Sequence, residues 1–138
     1  MPSGVIQKDL NMQNKQYLQN GLKNVGPKKR KKTNYIVITS TDTPNYLDVT
    51  LSQLDKQHRQ EGVLGLKDHF IITLDGKVHT GREQEVIGFD IGDDALSIRL
   101  VGKDNFNIEQ TKSLQKLIKN LKQIYKEIEI DNTTTIEI

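Results

Sequence analysis

The sequence predicts an α/β domain in which a central mixed β-sheet is flanked by helices, preceded by a basic N-terminal arm. Three observations carry that prediction. Tyr35-Ile36-Val37-Ile38 is a short β-branched run of the kind found in buried strands. His69-Phe70-Ile71-Ile72-Thr73-Leu74 and Lys77-Val78-His79 flank Asp75-Gly76, a hairpin signal in which both turn residues are expected at positive φ. Leu114, Leu117, Ile118, Leu121, Ile124, Tyr125 and Ile128 recur with the 3.6-residue period of an amphipathic helix.

The elements follow in order. Residues 1–34 form the arm and linker, with Ile6, Leu10, Leu18 and Leu22 at a loose helical spacing among Asn and Gln. Gly26-Pro27 ends that pattern, and Lys28-Lys29-Arg30-Lys31-Lys32 reads as a solvated linker. The domain, residues 35–138, opens on the Tyr35 strand. Thr50 then caps a helix, with Gln53 completing a capping box and Val49 stapling onto Leu54. Gly62 suits a left-handed stop for that helix. After the hairpin, Leu96, Ile98 and Leu100 alternate with Ser97 and Arg99 as a further strand. Asn107 and Gln110 cap the long helix, and the tail alternates again through Ile128, Ile130, Ile136 and Ile138. Strand, helix, hairpin, strand, helix, strand is one mixed sheet with helices packed on it.

Composition narrows the chemistry. The chain has 138 residues, a size that suits one domain, and a core rich in Ile, Leu and Val is expected because there is no Trp. There is no Cys, which removes disulfides, thiol nucleophiles and thiolate metal ligands. No apolar run approaches the roughly 18 residues of a membrane span and no signal-peptide core is present, so no membrane partner and no signal-peptide export are expected. The net charge of +2 is unevenly placed. Residues 1–34 carry eight Lys/Arg against one acid, and residues 35–138 carry twelve against seventeen. A +7 arm on a −5 body is expected to hold something. The expected contacts are Ile6, Leu10, Leu18 and Leu22 together with Lys28, Lys29, Arg30, Lys31 and Lys32. Nucleic acid is the less favoured partner, because no aromatic residues interleave the lysines to stack bases.

The segment from His58 to Val101 holds His58-x3-Gly62, His69-Phe70-Ile71-Ile72, Asp75-Gly76-Lys77-Val78, Gly81-Arg82, Gly88, Ser97-Ile98 and Leu100-Val101-Gly102. In this order the pieces resemble the zinc N-acetylmuramoyl-L-alanine amidases, the family that includes phage lysozyme-type amidases and peptidoglycan recognition proteins. The pattern H-F-I-I-x-x-D-G-x-V-x-x-G-R runs without a gap from His69 to Arg82. The resemblance covers about residues 35–130 and implies an amidase-like fold.

It also implies a zinc ion on three protein ligands, with an open position for water. Here the chain departs from the pattern. The family's first histidine falls on Ile38, and its second falls around Asp131–Thr134, where no histidine stands. The third lies further on than Ile138. The tyrosine before the His-Phe pair becomes Asp68, and a histidine after the Gly88 position becomes Asp90. The resulting expectation is a pseudoenzyme with no catalytic, metal or cofactor residues. Its expected role is a non-catalytic structural component of a phage virion, in the tail or baseplate, docked through the arm. The alternatives are a non-catalytic peptidoglycan-binding module, or a regulator of a partner such as RNA polymerase, as one phage amidase of the family is. His58, His69 and His79 are expected to be structural. Asp90, Asp93 and Asp94 read as a solvated loop, and Arg82 as a structural ion pair.

Overall fold

The computed structural model describes residues 28–138. Among these residues, five strands and two helices succeed one another as β1 (Tyr35–Ser40), α1 (Leu51–Gln60), β2 (Phe70–Ile72), β3 (Val78–Thr80), β4 (Ala95–Leu100), α2 (Ile108–Ile124) and β5 (Glu129–Asn132). They build one mixed sheet of order β3-β2-β4-β1-β5. β1 lies parallel to both β4 and β5, β2 is parallel to β4, and only the β2–β3 pair is antiparallel. The parallel centre explains the sequence of β4. Covered on both faces, it buries Ala95, Leu96, Ser97, Ile98 and Leu100 rather than alternating cleanly.

Each helix begins as its sequence requires. Thr50 accepts from the Gln53 amide while Gln53 returns a bond to the Thr50 amide, and Asn107 and Gln110 repeat the arrangement on α2. Gly62 follows α1 at φ +95°. α2 lays Leu114, Ile118 and Leu121 over Ile36, Ile38, Ile98 and Leu100 of the sheet. Complete burial of one such side chain contributes about 1.5–3 kcal/mol. A smaller apolar cluster, Val49, Leu54, Ile71 and Val101, forms under α1.

Three local expectations change. The hairpin is not a two-residue turn: Gly76 has φ +82° but Asp75 does not share a positive φ. The loop instead closes with Gly76 N–H donating to Thr73 O and Thr73 N–H to Lys77 O, the pattern of a turn followed by a glycine bulge. Asp75 stabilises it by accepting from Thr73 Oγ1 and Lys77 N–H. The tail forms a strand only over Glu129–Asn132; Ile136 is buried against the core without pairing. Ile124, in the last turn of α2, is exposed.

The arm also differs from its reading. Ile6, Leu10, Leu18 and Leu22 lie outside the described residues. Of the basic run, Lys28–Arg30 is not a solvated linker. Lys29 forms an antiparallel bridge with Val86, closed by Ile87 N–H to Lys28 O and Arg30 N–H to Glu85 O, each 2.7 Å.

Candidate functional site

The site that the motifs single out gathers at the ends of β1, β2, β4 and β5. Parallel pairing sets Ile38 directly between Ile98 on one side and Asn132 on the other. Ile38 is fully buried in the main core. Thr133 closes over it, donating its N–H and its Oγ1 to the Ile38 carbonyl at 3.0 and 2.7 Å. Asn132 braces the following turn by accepting from Thr134 and donating to Ile136 O. Two positions 95 residues apart in sequence, both read as ligand positions, are therefore adjacent in space.

Asp68 and Arg99 form the charged part of the site. Asp68 is 3% exposed, and its carboxylate accepts from Arg99 Nε at 2.5 Å and from Nη2 at 3.4 Å. Arg99 Nη1 reaches across to Ser40 O at 2.9 Å. One guanidinium thus ties the entry of β2 to the ends of β4 and β1. Asp68 also receives Arg82 N–H at its carbonyl, and a Cβ on Gly81 would stand 2.4 Å from that oxygen. This close approach is why the Gly81-Arg82 turn needs its glycine. Among the described residues Arg82 makes no ion pair, contrary to expectation. Its side chain donates to the carbonyls of Ile87 and Leu66.

All three histidines have structural partners. His69 accepts the Ser97 N–H at Nδ1, at 3.0 Å, so Nε2 carries the proton and donates to Val86 O at 2.7 Å. Burial holds its pKa below the usual imidazole range. The Val86 bond works against that shift, and the nearby Arg30 and Arg82 charges reinforce it. His58 accepts the Lys67 N–H at Nδ1 and is likewise lowered, first by burial and then by Arg99. His79 bonds Thr73 Oγ1 inside the hairpin loop. Asp90 and Asp93 are exposed, and Asp94 accepts from the Asn34 side chain.

The fit to a zinc ion can be tested on these residues. Zinc takes imidazole nitrogen, thiolate or carboxylate at about 2.0–2.3 Å. Ile38 offers no donor, and Thr133 has turned its hydroxyl to the backbone. Thr39 Oγ1 is buried without a partner among the described residues, but a lone hydroxyl is no substitute for an imidazole. Among the described residues, no three His, Cys, Asp or Glu side chains group closely enough to hold a metal. The residues present do not fit the zinc that the resemblance implies. An open depression between α2 and β5, lined by Ile118, Lys119, Lys122, Ile130 and Ile138, touches neither ligand position.

Of the arm residues expected to bind a partner, Arg30 is turned inward. Its Nη1 donates to Gln84 O at 2.6 Å and to Val86 O at 3.0 Å, and its guanidinium lies 5.9 Å from the centre of the Tyr125 ring. Lys28, Lys29, Lys31 and Lys32 are exposed. Neither the Arg30 anchor nor the Thr133 strut was foreseen from sequence. The one available signal was that Arg30 is the only arginine in a run of lysines, and guanidinium groups suit multiple carbonyl contacts.

No protein-family profile matches the chain. It is 30% identical over 108 residues to the endolysin of Klebsiella phage KP32, covering 70% of this chain and 72% of that one. It is 27% identical over the same length to the endolysin of Enterobacteria phage K11. Among solved structures, the N-acetylmuramoyl-L-alanine amidase LysC from Clostridium intestinale URNW superposes with a TM-score of 0.68 at 25% identity, over 77% of this chain and 73% of that one. The recognition protein PGRP-Hd of Alvinella pompejana shares the fold at a TM-score of 0.65 and 18% identity, over 78% and 77% of the two chains.

These comparisons correct the expectation of a non-catalytic pseudoenzyme serving as a structural virion part in a tail or baseplate. The relatives are endolysins and amidases, not structural proteins. The physical fault in that expectation is plain. The missing donors at Ile38 and at Asp131–Thr134 bear on zinc binding alone, whereas a role in assembly needs a surface that binds neighbours, which those positions do not supply. By its similarity to the phage endolysins and its fold, the chain belongs to the family of N-acetylmuramoyl-L-alanine amidases and peptidoglycan recognition proteins.

Proposed function

We propose that this chain is a peptidoglycan-directed lytic protein of the endolysin type. Its proposed target is the amide between N-acetylmuramic acid and L-alanine. The observation that carries the reading is the 30% identity to the Klebsiella phage KP32 endolysin across 70% of the chain. The superposition on a clostridial amidase of that specificity supports it, and the recognition proteins that share the fold make peptidoglycan the natural partner. Hydrolysis of that amide adds water across the C–N bond, leaving a carboxyl on the lactyl group and a new amine on alanine. No step is routed through zinc, because Ile38 and Thr133 do not fit it. In this reading the chain's own contribution is shape: the Asp68–Arg99–Ser40 tie and the Thr133 strut hold the ends of β1, β2, β4 and β5 in fixed relation.

Purified sacculi test both halves. The protein is expected to sediment with sacculi and to release peptides bearing new alanine amino termini. Sedimentation without new termini would sink the hydrolytic half and leave peptidoglycan recognition. Neither sedimentation nor release would overturn the reading.

A further inference from the structure

The run Lys28–Lys32 is neither a linker nor a random solvated stretch, and its geometry is a consequence of one side chain. Arg30 faces the body, where it is held by the carbonyls of Gln84 and Val86, by Thr33 Oγ1 and by the face of Tyr125. Tyr125 is itself fixed by the Gln84 side chain. The Lys29–Val86 bridge holds the backbone on either side. Around the inward-turned Arg30, Lys28, Lys29, Lys31 and Lys32 are all exposed, with the chain bending at Lys31. The one described ion pair among these lysines, Lys29 with Glu85 at 3.4 Å, joins side chains about three-quarters exposed and neutralises little.

We infer that this pinned lysine ridge is a docking surface for an anionic lipid membrane, met at its phospholipid phosphates. Three features favour a lipid surface over a nucleic acid. The ridge presents ammonium point charges, and its only guanidinium, the group suited to bidentate phosphate contacts, is occupied inside. Of the aromatic rings beside the lysines, Tyr125 lies under Arg30 and only Tyr35 is exposed, so no series of rings is offered for successive bases to stack on. The body, residues 35–138, carries a formal −5, so attraction to a polyanion must come from one side, as suits a planar charged surface. Among the described residues no helix is long and apolar enough to cross a membrane. The sequence expectation of no membrane partner rested on spanning segments, and a peripheral ridge needs none. Pinning matters because an already ordered ridge loses less conformational entropy when it docks.

Sedimentation of the full chain with vesicles tests this. Equal parts phosphatidylglycerol and phosphatidylcholine serve as the anionic surface and phosphatidylcholine alone as the neutral one. The native protein is expected on the anionic vesicles at 50 mM NaCl and released at 500 mM. Each lysine changed to glutamine is expected to weaken partitioning about five-fold, so the variant K28Q/K29Q/K31Q/K32Q loses several hundred-fold. Its circular dichroism melt should match the native one, since none of the four contributes to the core. Equal binding to neutral vesicles, or unchanged binding by that variant, would overturn the inference. So would loss of binding in K8Q/K15Q/K23Q with the ridge intact, or a tighter, lysine-dependent complex with a 20-base-pair DNA duplex. Sacculus sedimentation is read separately, so failure here leaves the peptidoglycan reading standing.

Discussion

Replacing Asp68 with alanine isolates the charged tie at the site. The substitution leaves the Arg99 guanidinium with only the Ser40 carbonyl as partner. Removing one member of a buried pair costs about 3–5 kcal/mol. The Arg99 side chain retains 20% exposure, so water can partly solvate the orphaned charge and the lower end, about 3 kcal/mol, applies. For a domain of this size each kcal/mol moves the midpoint by about 4 °C, giving a drop of ~12 °C in a circular dichroism melt. The double variant Asp68→Ala with Arg99→Leu removes both charges and leaves only the Ser40 carbonyl unsatisfied. It should recover to within about 1–2 kcal/mol of the native protein. A single-variant loss under about 1 kcal/mol, or a double variant at least as unstable as the single, would refute the account of a desolvated pair tying three strands.

Three further outcomes follow from other contacts. His58 and His69 both have folded pKa values lowered by burial, so the unfolded chain binds more protons as pH falls. Their contribution is fully present above the unfolded imidazole pKa of about 6.5 and is lost as pH falls from there through the folded values. Urea midpoints should therefore decline below about pH 6.5, and a flat profile from pH 7 to 5 would contradict the placement of both rings. Gly76→Ala and Gly62→Ala should separate strain from collision. At Gly62 a Cβ meets nothing within 4 Å and costs only the left-handed penalty of about 1–2 kcal/mol. At Gly76 the same penalty is joined by contacts at 2.9 Å with Glu109 Cβ and 3.0 Å with its carbonyl, so Gly76→Ala should be the less stable by chemical denaturation. Equal losses would show that Glu109 gives way. Finally, zinc in ten-fold excess, or its removal with a chelator, should leave the melting midpoint unchanged, since the Ile38 position has no donor. A zinc-dependent rise would mean that other donors converge.

The local grammar of the chain was legible because it is carried by neighbours in sequence. Thr50 with Gln53 and Asn107 with Gln110 meet their partners three residues away, so both capping boxes could be written down without a fold. The period of Leu114, Ile118 and Leu121 identifies a core face in the same manner. The family resemblance was equally readable from His69 to Arg82, because that hairpin is one continuous local unit. Where the sequence reading failed, a competing long-range contact won. Glu109 packs on Gly76 and the Asp75 side chain stitches the loop, which moves the turn from two residues to a bulged form. Arg30 finds carbonyls 54 and 56 residues away, which converts an expected linker into an edge of the domain.

What the sequence determined by itself was the α/β class, the order of elements, the absence of thiol chemistry and the lack of a histidine at position 38. What only the tertiary structure decided was adjacency: Thr133 closing on Ile38, Asp68 sealed by Arg99, and Arg30 turned in among four exposed lysines. The reason is that periodicity and capping are short-range properties of the backbone. The pairing of buried charges and carbonyls, by contrast, is set by which distant segments the sheet order brings together.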